Sequence, residues 1–351
     1  MEQINRTEVG ALGEFGLIDR LTRDFENERI STLTGIGDDA AVIDHFGMHT
    51  VVSTDMLLEG VHFDLSYCPL KHLGYKAVAV NLSDICAMMA TPTQITVSIG
   101  ISNRFPVEAL EELYAGIQAA CENYHVDLIG GDTTSSLRGL VISITAIGEV
   151  APGKAVLRST AQEGDLICLS GDVGGAYLGL QLLEREKRIF TENPGVQPSL
   201  EGKAYVVGRQ LKPEPRADIV AWLQEQEIVP TSMIDVSDGV SSEALHLCKS
   251  SNLGCVIYEE KLPINEESKV AAFDFGVDPT TCALNGGEDY ELLFTIPQSD
   301  YDKITKSEAI SVIGYMTAAP EGSRLHTKAG TIHPLTAQGW SAFKGEDQGP
   351  V

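Results

Sequence analysis

Residues 71–90 read KHLGYKAVAVNLSDICAMMA, and how this stretch folds decides the class of the protein. It is alanine-rich, has neither glycine nor proline after Gly74, and is too long for one strand, so it predicts a helix over Lys71 to Met89. Because apolar residues surround it on nearly every side, that helix is expected to be buried. It nevertheless carries Asp84, within Asn81-Leu82-Ser83-Asp84. A carboxylate on a buried helix is costly unless it is paired or binds a metal, and otherwise it must cap the helix or face water.

The flanking segments are strand-like. GMHTVVSTDML (47–57) is a β-branched run ending at Ser53-Thr54-Asp55, and TQITVSIGI (93–101) alternates apolar and polar residues. A second helix is expected over PVEALEELYAGIQAACENYHV (106–126), with Pro106 near its start, followed by HVDLIGGDTT (125–134) as strand then loop and LVISITAIGEV (140–150) as strand. Phe15, Ile18, Leu21 and Phe25 at helical spacing predict an amphipathic helix over 13–26. Pro152, Gly153 and Gly164 then punctuate a hinge before a second series opens with DLICLSGDVGGAYLGLQLL (165–183). The expectation is an α/β fold of α+β type in two domains, 1–152 and 153–351, with 190–215 an irregular excursion.

Composition excludes several functions. Over 351 residues, 25 Lys and Arg stand against 50 Asp and Glu, a net charge of −25 that repels nucleic acid and anionic membrane surfaces. The 7 cysteines are scattered with no C-x-x-C pair, so neither a disulfide framework nor a zinc ribbon is expected. No apolar leader opens the chain and no stretch is long enough to span a bilayer, so a cytoplasmic protein is expected.

The acidic residues fall in one kind of place, beside glycine or serine at the expected ends of strands. They are Asp38 and Asp39 in GIGDDAAVID (35–44), Asp55 in VVSTD, Asp132 in LIGGD, Asp172 in LSGDVGG, Asp235 and Asp238 in IDVSDG, and Glu288 and Asp289 in NGGED. For the adjacent pair Asp38-Asp39, solvation and a bound cation are both sufficient explanations. Strand ends are where α/β folds bind ligands, and an oxygen-only donor set suits magnesium bridging carboxylates to phosphates. SGDVGGAYLG lacks the G-K-[ST] ending of a Walker sequence, and no EF-hand loop occurs.

Taken in order, GIGDDAAV, STDMLLEGVHF, YKAVAVNLSDICAMMATP, LIGGDTT, IDVSDGVSSEALHL and GGEDYELLFTI closely resemble the thiamine-monophosphate kinases, within the superfamily of aminoimidazole ribonucleotide synthetase and selenophosphate synthetase. The resemblance implies that superfamily's two-domain fold, with the N-terminal sheet pairing across a homodimer. It also implies direct in-line transfer of the γ-phosphoryl of ATP to thiamine monophosphate, with several Mg2+ ions and no protein nucleophile. As metal ligands it implies Asp39, Asp84 and Asp235, then Ser53, Thr54 and Asp55 with Asp132, and then Asp238. Tyr114, Gly131, Asp132, Arg158 and Ser237 match ATP contacts, while His62, Glu288 and Trp340 match contacts to thiamine monophosphate. Asp38 is a candidate support for Asp39, and Asp172 matches no role. Two other functions compete: ATP-dependent activation of another small phosphate or amide by a superfamily relative, and a non-enzymatic acidic cation-binding protein.

Overall fold

The computed structural model describes residues 32–34, 38–45, 47–102 and 105–338. The helix expected over 13–26 and Trp340 lie outside the described residues. A first sheet runs β1-β2-β3-β6-β4-β5, built from Thr32–Thr34 (β1), Ala41–His45 (β2), Met48–Leu58 (β3), Thr91–Ile101 (β4), Asp127–Ser135 (β5) and Val141–Val150 (β6). β3 and β4 each pair antiparallel with β6, and β5 pairs parallel with β4. Parallel neighbours need a crossover, and the helix Val107–Tyr124 (α2) supplies it.

The stretch 71–90 forms the helix Leu70–Ala87 (α1), as its composition predicts. Leu73, Val78, Leu82 and Ile85 pack into one core with Val97, Ile142 and Ile144 of the first sheet. Cys86 and Ala87, together with Met89 beyond the helix, enter a second core with Met233, Leu292 and Phe294. Those last three belong to the second sheet, ordered β13-β12-β9-β11-β7-β10-β8. Its strands are Leu166–Ser170 (β7), Ser232–Asp235 (β8), Leu253–Tyr258 (β9), Leu292–Ile296 (β10), Ile310–Ala318 (β11), Arg324–His326 (β12) and Ile332–Pro334 (β13). α1 is therefore buried all round because each of the two halves claims part of its surface.

Three expectations change. β3 continues through Ser53-Thr54-Asp55 to Leu58, and β5 carries Gly130, Gly131 and Asp132 inside the strand, so Asp55 and Asp132 are not at strand ends. Backbone pairing with β6 and β4 extends both strands past the polar residues that read as their ends. The stretch 190–215 is not wholly irregular. It contains the end of the helix Gly175–Glu192 (α3) and the whole of Ala204–Leu211 (α4), whose buried Val206, Gln210 and Leu211 stabilise it through packing.

α1 and α2 cross with their backbones touching. A Cβ on Gly74 would sit 2.0 Å from the carbonyl oxygen of Leu113, and one on Gly116 would sit 1.9 Å from that of Lys71. Neither clash can be relieved by rotating a side chain. Gly74→Ala is therefore expected to destabilise the protein by about 3 kcal/mol or more, read as a fall in the thermal unfolding midpoint; an unchanged midpoint would show that the helices separate freely.

Candidate active site

Three chain segments that are remote in sequence bring three carboxylates together. Asp39 precedes β2, Asp84 lies near the C-terminal end of α1, and Asp235 ends β8; one oxygen from each lies within 4.8 Å of the others. At that spacing each ionised pair repels by roughly 3–4 kcal/mol at an effective dielectric near 20. Hydroxyls steady two of the three groups. Ser53 Oγ donates to Asp84 Oδ2 (2.6 Å), and Ser83 Oγ donates to Asp235 Oδ2 (2.7 Å). The third is clasped by Arg158, whose guanidinium donates through Nε (2.7 Å) and Nη2 to the two oxygens of Asp39.

Asp38 acts through the same arginine. Its Oδ2 accepts the backbone N–H of Arg158 (3.0 Å) and its Oδ1 that of Asp39 (2.9 Å). Burial, and then the neighbouring Asp39, push the Asp38 carboxyl up to about 6. Burial raises Asp39 as well, opposed by Arg158. Asp84 is held well above the usual carboxylate range by burial and then by Asp55, Asp235 and Asp39; Asp235 is pushed up to about 7 by burial and then by Asp39. An all-oxygen cluster of three carboxylates with one arginine to offset them fits a hard divalent cation such as magnesium.

Beside the cluster lies a cavity of about 460 Å3, lined by Asp55, His62, Asp84, Asp235, Ser237, Asp238 and Glu288 among others. Asp55 is fixed by its backbone N–H, which donates to Asn81 Oδ1 on α1 (2.9 Å). His62 Nδ1 accepts the backbone N–H of Leu58 (3.0 Å), which assigns the proton of the neutral ring to Nε2. Burial lowers the pKa of that ring, favouring the neutral form. The Ser237-Asp238 turn is held by Glu243 of the helix Val240–Ser251 (α5), whose Oε1 accepts the N–H of Asp238 (2.9 Å). The GGED turn is pinned to it, since the Glu288 N–H donates to the carbonyl of Ser237 (2.6 Å). Glu288 has φ 59°, a left-handed conformation that costs a non-glycine residue about 1–2 kcal/mol.

Strand alternation divides the remaining candidates. Ser53 and Asp55 face α1, whereas Thr54 Oγ1 donates to the carbonyl of Ile144 in β6 (2.9 Å), on the other side of the pleat. Asp132 stands on β5, whose residues are all exposed, opposite Ser98 of β4, and it does not line the cavity. A Cβ on the adjacent Gly131 would lie 1.8 Å from the carbonyl oxygen of Val97, so the strand pairing itself demands glycine there. Tyr114 is half-buried on α2 against the first core. Asp172 accepts from the Tyr205 hydroxyl (2.6 Å) and is likewise outside the cavity. Sequence reasoning missed Ser83, Asn81, Glu243 and Gln210; only Ser83, adjacent to Asp84, carried a signal.

Comparison with known proteins gives a consistent result. Residues 37–150 match the family model described as AIR synthase related protein, N-terminal domain. The thiamine-monophosphate kinase of Aquifex aeolicus (strain VF5) is 32% identical over 332 residues, covering 95% of this chain and 98% of that one. The thiamine-monophosphate kinase of Escherichia coli (strain K12) is 34% identical over 323 residues, covering 89% and 93%. A solved structure described as AaThiL complexed with AMPPCP and TMP superposes with a TM-score of 0.81 at 31% identity, covering 97% of this chain and all of that one.

The raised carboxylates set a pH dependence. Between 3.8, the ordinary aspartate value, and about 7, the folded protein holds a proton on Asp235 that the unfolded chain has released. The stability this contributes is fully present below 3.8 and is lost as the pH rises through about 7. Magnesium competes with those protons, so millimolar MgCl2 is expected to raise the unfolding midpoint by several degrees at pH 8 and by much less at pH 5.5. Equal shifts at the two pH values would count against cation binding at the cluster.

Proposed function

The chain belongs to the thiamine-monophosphate kinase family, which uses ATP to phosphorylate thiamine monophosphate to thiamine diphosphate, and from that premise we propose how the cavity carries out the transfer. The single observation that carries the proposal is the convergence of Asp39 with Asp84 and Asp235, the last two of which line the cavity. The γ-phosphoryl passes directly from ATP to the phosphate of the acceptor, in line and without a covalent enzyme intermediate. Two highly charged phosphates must approach each other, so positioning and charge neutralisation dominate the barrier. Asp39, Asp84, Asp235 and Asp238, with Asp55 and Ser53 beside them, would hold magnesium, which would supply that neutralisation and act as a Lewis acid toward the phosphates.

The chain's own groups do the rest. Ser53 and Ser83 keep Asp84 and Asp235 aimed, and Arg158 with Asp38 holds Asp39 until nucleotide binds, when the guanidinium is free to turn to ATP. Ser237 offers a hydroxyl to the nucleotide. His62 presents a neutral ring, and Glu288 a carboxylate, to thiamine monophosphate; Trp340 is the aromatic partner for its cationic thiazolium ring. Thr54, Gly131, Asp132 and Tyr114 belong to the nucleotide side. The exposed edge strand β5, with Leu128 and Ile129 44% and 58% accessible, supports a homodimer formed through the first sheet. In this arrangement residues 1–152 form the metal- and ATP-binding domain, residues 153–351 cover the site and add Arg158, Asp235, Ser237 and Asp238 to it, and the enzyme works in the cytoplasm. No helix among the described residues is long and apolar enough to cross a membrane.

Purified protein given ATP, MgCl2 and thiamine monophosphate is expected to form thiamine diphosphate and ADP in equal amounts. Asp84→Asn and Asp235→Asn should each lower kcat by about a hundredfold or more, because even changes around the ligands of metal sites cost about 10–100-fold. Both variants should keep a cooperative thermal transition. Retained turnover with ordinary magnesium dependence would remove the cluster from the mechanism.

A further inference from the structure

Lys76 is the only lysine among the described residues that is buried, at 2% exposure. An ammonium removed from water is costly unless its donors are matched. Its Nζ donates to the carbonyl of Gln210 at the end of α4 (3.1 Å) and to Oε2 of Glu288 (3.1 Å). Gln210 Nε2 donates to the same Oε2 (2.6 Å). Two donors from two elements thus hold one oxygen of Glu288, whose side chain remains 26% exposed at the cavity wall. Lys76 itself does not line the cavity, so whatever it does for a ligand it does through Glu288.

The surroundings explain why such a clamp is needed. Asp55, Asp84, Asp235 and Asp238 line the same cavity, and a cation bound among them would attract a loose Glu288 carboxylate as a further oxygen ligand. The ammonium of Lys76 offsets the charge of Glu288 and keeps it apart from the cluster. The other carboxylate oxygen is left to face a ligand, and a cationic heterocycle is the group an anionic oxygen recognises.

We propose that Lys76 is a positioning residue that fixes Glu288 for the thiazolium-bearing half of thiamine monophosphate and keeps that carboxylate out of metal coordination. This rests on the assignment of Glu288 to the substrate made above. Lys76→Met is expected to raise KM for thiamine monophosphate about tenfold or more while KM for ATP changes less than about twofold, and Glu288→Gln should do the same. Combining Lys76→Met with Glu288→Gln should add little to Glu288→Gln alone, because the interaction has already gone. Lys76→Arg keeps the charge, but a guanidinium cannot occupy the same point, and it should raise the same KM severalfold.

A purely structural lysine would lower the unfolding midpoint without separating the two KM values, or would cost as much in the Glu288→Gln background as in the parent. Either result overturns the role of Lys76 while leaving Glu288 in place. An unchanged KM for thiamine monophosphate in Glu288→Gln would overturn the substrate assignment of Glu288, and the role of Lys76 with it.

Discussion

Mutual repulsion among Asp39, Asp84 and Asp235 is the constraint on which the arrangement of this protein turns. Three carboxylates within 4.8 Å, drawn from a loop, a helix and a strand, would separate if the elements carrying them were free to move. They are held because α1 lies in the core of the first half and, at its C-terminal end, in a core with strands of the second. The hydrophobic burial of a whole helix thereby offsets the electrostatic cost of the cluster. Arg158, on the segment joining the two halves, supplies the one cation in direct contact with it among the described residues.

The same seam decides how the cavity is built. The first half contributes Asp55, His62 and Asp84, while the second contributes Asp235, Ser237, Asp238 and Glu288. A further clasp crosses the seam, where the Tyr75 hydroxyl donates to Glu214 Oε2 (2.7 Å) and Tyr124 reaches the same oxygen. Glu214 sits between Pro213 and Pro215, so the segment that receives these bonds has little backbone freedom to lose. The two turns that reach the cavity, Ser237-Asp238 and Glu288, are tied to each other through backbone groups, which makes them one unit.

Much of this was legible from residue patterns, and the failures have physical causes. The buried helix over 71–90 follows from composition alone, and the cost of a carboxylate on it singled out Asp84. The ends of β3 and β5 were misjudged because Ser, Thr, Asp and Gly read as turn residues, whereas pairing with neighbouring strands keeps them extended. α4 was hidden in a proline-bearing stretch because tertiary packing of Val206 and Leu211, rather than local propensity, stabilises it. Strand alternation separates Ser53 and Asp55 from Thr54, a division the short motif conceals until the strand is known to run through it.

The sequence by itself determined the chemistry available, an oxygen-only, strongly acidic set suited to magnesium and phosphates, together with the elements that carry it. Those are local properties, set by side-chain type, charge and spacing along the chain. Which carboxylates meet, which oxygen of Glu288 is held, and that Lys76 and Gln210 hold it were decided only by the tertiary structure. These depend on contacts between residues far apart along the chain, 78 positions for Gln210 and Glu288 and 212 for Lys76 and Glu288, brought together by burying α1 between two sheets, and no local pattern records them.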